Sequence, residues 1–103
     1  MRQRKTTENR ATLTVEEAIN FALDGAAEAF AEVNRRTSDE AAAELAAREA
    51  FRNLMPLLES KHTAKCYIGC IAQGVNWGFF TTAEARVLMY GAQVWLQMED
   101  SKR

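Results

Sequence analysis

Apolar residues return at every third or fourth position through most of this chain, the repeat of an amphipathic helix. The first run follows "TVEE", in which Thr14 can cap a helix and Glu17 can reach back to it. Ile19, Ala22, Leu23, Ala26, Phe30 and Val33 then share one face, and Arg35 and Arg36 fall in the last turn, where cations suit the helix dipole. "TSDE" predicts a second start, with Thr37 or Ser38 as the cap. The second stripe is Ala43, Ala47, Ala50, Phe51, Leu54 and Leu58, and Pro56 interrupts it. Proline lacks an N–H and disfavours helical geometry at Met55, so the helix kinks or restarts there. A third helix is expected from about Pro56 to Trp77, stopped by Gly78. "TTAE" predicts a fourth over about Thr82 to Glu99, capped by Thr81 and Glu84.

On the fourth helix Arg86, Gln93, Gln97 and Asp100 line one narrow side, while Val87, Leu88, Gly91, Val94, Trp95 and Met98 fill the rest. That apolar arc is wider than one neighbour needs. The short link between the third and fourth helices makes them an antiparallel hairpin. The expected fold is therefore an all-α, small four-helix domain with a C-terminal helical hairpin. Residues 1–12 lack any periodicity and read as a flexible basic arm, leaving 13–103 as a single helical domain. One proline and five glycines in 103 residues agree with long helices rather than a turn-rich β fold.

Charge adds asymmetry. Arg2, Arg4, Lys5 and Arg10 crowd the first ten residues, yet the net charge is −1, which gives no overall footprint for nucleic acid. From His62 to Met98 the charged residues are Lys65, Glu84 and Arg86. So little charge over so long a stretch points to surface covered by a partner. No signal-like or membrane-spanning apolar run occurs, so the chain reads as cytoplasmic, with Cys66 and Cys70 as free thiols in a reducing compartment.

His62, Cys66 and Cys70 raise the question of a metal or redox centre. On a helix the two ends of this series lie about 12 Å apart, too far to share one zinc ion. A redox pair wants Cys-x-x-Cys at a helix start. Adjacent turns also hold the two Cβ atoms too far apart for a disulfide. No metal and no cofactor are expected. Cys66, Gly69, Cys70 and Gly74 read instead as small residues of a close-packed seam, matched by Gly91 and Ala92 on the fourth helix. Cys70, Gly74, Trp77, Gly91 and Trp95 are the expected oligomer interface.

With one histidine and no nucleophile elbow, phosphate loop or dinucleotide fingerprint, no enzyme is expected. "GVNWGFFTTAEARVLM" has a helix-turn-helix look, but a recognition helix should offer more polar groups than Arg86, so direct nucleic-acid binding is disfavoured. Glu16, Asp24, Glu28 and Glu32 form an acidic series on the first helix that could serve a basic or nucleic-acid-binding protein partner. The leading expectation is a non-catalytic oligomeric protein that binds or inhibits another macromolecule, of a kind that would suit a phage or mobile element. Tyr67, Trp77, Phe79, Phe80, Tyr90 and Trp95 leave a second: an oligomeric binder of a small planar or nucleotide ligand. A DNA-binding regulator is the third.

Overall fold

The computed structural model describes residues 12–101. Among them are four helices and no strand: α1 (Val15–Thr37), α2 (Glu40–Leu54), α3 (Lys61–Asn76) and α4 (Thr82–Ser101). The fold is all-α. The proposed basic arm lies outside the described residues, apart from Thr12.

Each helix start has a cap that satisfies backbone N–H groups left without helical partners. Thr14 and Glu17 exchange hydrogen bonds across the first turn of α1 (2.9 and 3.1 Å). Thr81 and Glu84 do the same at α4 (2.9 and 3.1 Å). The other two starts differ from the sequence expectation. Asp39, not Thr37 or Ser38, caps α2 by accepting from the Ala42 N–H at 3.2 Å. Ser38 instead ends α1 in the left-handed conformation, with φ 54°.

The third helix does not begin near Pro56. Met55 is extended (φ −65°, ψ 147°), as a residue before proline prefers, and α2 stops there. Residues 55–60 form a connection in which Met55 and Pro56 are buried. Helix α3 starts at Lys61, where Ser60 accepts from the Thr63 N–H and Thr63 accepts from the Ser60 N–H. Threonine stands here in the place a glutamate usually takes, so "SKHT" is a start signal that an acid-based search passes over.

Helices α1 and α2 form an antiparallel pair, and α3 packs on α1 and then on α4. The core is built from Ala18, Ala22 and Ala26 of α1, Ala43, Ala47 and Phe51 of α2, Cys66, Cys70 and Ile71 of α3, and Phe80 of the hairpin turn. Alanines let helix axes approach closely, and the aromatic rings fill the wider end. The Phe51 ring lies 5.0 Å from that of Phe79 and 6.0 Å, edge-on, from that of Phe80. At the end of α3, Phe79 N–H donates to the Gly74 carbonyl (2.7 Å) and Gly78 N–H to Val75 (3.0 Å). This is a Schellman closure, and the residue it places at positive φ is Gly78 (80°).

The result is flat and long: 52 × 35 × 16 Å, with a radius of gyration of 14.7 Å. A compact chain of this length would be near 13 Å. Helix α4 accounts for much of the exposed apolar surface, because it packs mainly on α3.

Candidate functional site

The outer face of α4 carries exposed apolar side chains. Ala85, Leu88 and Met89 turn toward the core, and among the residues of α4 Ala92 alone is fully buried. At about 100° per residue, Val87, Gly91, Val94 and Met98 form a second row about 140° around the helix from these. Val87 is 71% exposed, Met98 60% and the neighbouring Tyr90 69%. A β-carbon at Gly91 would meet nothing within 4 Å. Arg86, Gln93 and Gln97 keep to the far side of Tyr90, so no charge interrupts the row.

A cleft of about 350 Å³ opens at one end of this row, lined by Met55, Tyr67, Phe80, Val87 and Leu88. Its polar rim is the Arg52–Glu84 ion pair. The Arg52 guanidinium also lies 5.1 Å from the Phe80 ring centre, over an aromatic face that attracts cations. Glu84 is held below the ordinary carboxylate range, first by its hydrogen bond from the Thr81 backbone and then by Arg52. Burial pushes the Tyr67 phenol up, so it stays protonated.

The small-residue seam takes another form than the sequence reading gave it. Cys70 and Gly74 are buried inside the chain, so they offer nothing to a second copy. Gly74 accommodates Phe80 and Phe51, and Gly69 accommodates Val15 and Ile19 of α1. Gly91, expected to close against the third helix, faces outward. Trp95 is half-buried at the edge of the exposed row. Trp77 is 60% exposed but lines a different cleft, of about 360 Å³, with Phe30, Ala47, Arg48 and Phe79. Arg48 Nε is buried there without a hydrogen-bond partner.

His62 and Cys66 meet the chain just ahead of α1, while Cys70 lies in the core. His62 Nε2 donates to the Leu13 carbonyl at 2.5 Å, and the Cys66 thiol donates to the same oxygen at 3.6 Å. Together they fasten the entry to α1 onto α3. Burial raises the Cys66 pKa, which keeps the thiol protonated and a poor nucleophile. Among the described residues no three His, Cys, Asp or Glu side chains gather as a metal site.

Glu16, Asp24, Glu28 and Glu32 are all exposed, but they do not form one face. Steps of four overshoot the 3.6-residue turn, so from Glu16 to Glu32 the series winds about 160° around α1. Glu28 and Glu32 border a groove with Ala50, Asn53 and Leu54 of α2. Glu32 is also met by Arg35 at 2.5 Å and Arg36 at 3.5 Å, which hold its carboxyl below the usual range. The acids that share a side are thus Asp24, Glu28 and Glu32, and the last carries bound cations.

No helix among the described residues is long and apolar enough to cross a membrane. Compared with protein-family models, curated proteins and solved structures, the chain matches none.

Proposed function

We propose that this is a small, non-catalytic helical protein of the cytoplasm that works by binding. It self-associates through the outer face of α4 and in that form binds or inhibits another macromolecule. The observation that carries this reading is the row Val87, Gly91, Val94 and Met98, with Tyr90 beside it: all but the half-buried Val94 are exposed, on a helix whose opposite face already meets the core. A contiguous apolar strip with a polar border is the mark of an interaction surface rather than of chance exposure. Asp24, Glu28 and Glu32 offer charge to a basic partner, such as a nucleic-acid-binding protein, and would act on encounter rate more than on final affinity. Light scattering over a dilution series tests the self-association. The combined variant Asp24→Asn, Glu28→Gln, Glu32→Gln tests the acidic side: it should fold as the parent does and recover less of a basic partner at low salt. Equal recovery would remove the acids from the proposal.

A second reading, a small planar or nucleotide ligand, draws support from the Trp77 cleft. The exposed indole there is a stacking surface, and Arg48 Nε is a donor without a partner. Native mass spectrometry of freshly purified protein would reveal a retained ligand. Arg48→Leu should release it. Direct DNA binding gains nothing from α4, whose early turns expose Val87 and Tyr90 next to Arg86.

A further inference from the structure

We propose that the partner of the α4 face is a second copy of α4, antiparallel, with each copy's Met98 entering the other's cleft beside Val87. This rests on the self-association proposed above and specifies its geometry. The steps along the row, from 87 to 91 to 94 to 98, are four, three and four, so the row reads the same in both directions. A two-fold axis between Ala92 and Gln93 sets Val87 opposite the partner's Met98 and Gly91 opposite the partner's Val94. Alternating steps of three and four are those of a helix–helix seam.

Side-chain size selects antiparallel over parallel. In a parallel pair, Gly91 faces Gly91 and leaves a gap at mid-seam, while two Met98 side chains crowd each other. In the antiparallel pair Val94 fills the open space at Gly91, large against small, as packed layers require. Each end then matches a methionine with a cleft lined by Met55, Tyr67, Phe80 and Leu88. Methionine is flexible enough to fill so irregular a space. The parallel arrangement leaves both clefts open.

Charge agrees. In this register the two Arg86 side chains stand about 20 Å apart along the axes, and each lies within about 3 Å, in level, of the partner's Gln97. No like charges meet along the seam, and opposed helix dipoles favour the pairing. A helix of this length spans about 30 Å and is about 10 Å wide. Covering such a strip on both copies, clefts included, removes on the order of 1,000 Å² of surface, the lower limit for a specific interface. An interface of that size suits a reversible dimer, not an obligate one.

Val87→Cys and Met98→Cys, purified separately and mixed under mild oxidation, test this directly. Both positions are exposed, so both variants should keep the parent's helical circular dichroism, and the native cysteines are buried and should not compete. The expected product is a disulfide joining one chain of each kind, identified by mass, with little from either variant alone. Like-with-like links, or a dimer that gives no link, would overturn the antiparallel seam while leaving self-association standing. A monomer at tens of micromolar would overturn both. Val94→Glu, which needs no cross-linking, should raise the dissociation constant about tenfold or more by setting a charge against Gly91. An unchanged constant would remove Val94 from the seam and contradict the register.

Discussion

Gly74 of α3 lies against one edge of the Phe80 ring. A β-carbon at residue 74 would overlap that ring and come within 3.1 Å of Phe51 Cε2. The absent methyl is what lets the hairpin turn close on the core. Gly74→Ala should therefore destabilise the protein by about 1–3 kcal/mol, although alanine favours a helix, because overpacking outweighs propensity. Thermal or urea unfolding followed by circular dichroism measures this.

Gly91 predicts the opposite sign. It is helical, and its absent side chain faces open space. Gly91→Ala should stabilise the isolated chain by about 0.5–1 kcal/mol. The larger Gly91→Leu should leave the monomer intact yet weaken self-association, since it fills the space given to Val94. Unfolding at low concentration, alongside mass at high concentration, separates the two effects.

Glu84 ties a pH dependence to the rim of the cleft. Its carboxyl is held below its ordinary value of 4.5 by the Thr81 backbone and by Arg52. A carboxylate depressed in the folded state contributes stability that is fully present above the unfolded value and lost as pH falls through the folded one. Glu84→Gln keeps a capping side chain but not the charge. The variant should melt below the parent at neutral pH, and the gap should narrow as pH falls below 4.5. Melting curves from pH 7 down to pH 3 check the sign, and a constant gap would refute it.

Cys66 and Cys70 are fully enclosed, and Cys66 is further held by the Leu13 carbonyl. A thiol reagent should label neither in the native protein and both on unfolding. A chelator should leave the melting temperature where it was. His62→Ala should cost about 1 kcal/mol by removing one donor from Leu13.

Much of this fold is legible in the sequence because local rules and packing agree. The capping residues Thr14 with Glu17 and Thr81 with Glu84, the alanine faces of α1 and α2, and the stop at Gly78 all follow from side chains within a few positions of one another. What escapes is what depends on distant partners. Nothing near Gly69, Gly74 and Gly91 in the chain tells that the first meets α1, the second an aromatic ring and the third water. The acidic series misleads for a simpler reason: a spacing of four resembles a face over one turn and drifts off it over four turns. The wide apolar arc of α4 was legible in sequence, but its cleft was not, since Met55, Tyr67 and Phe80 come from three separate segments.

The mass of the protein in solution is the most direct test of a binding face on α4. Sedimentation velocity from low to high micromolar concentration should show the chain passing from monomer toward dimer, and Val94→Glu should hold it at monomer over the same range. A parent that stays monomeric throughout would contradict the account, and so would a dimer that Val94→Glu leaves unchanged.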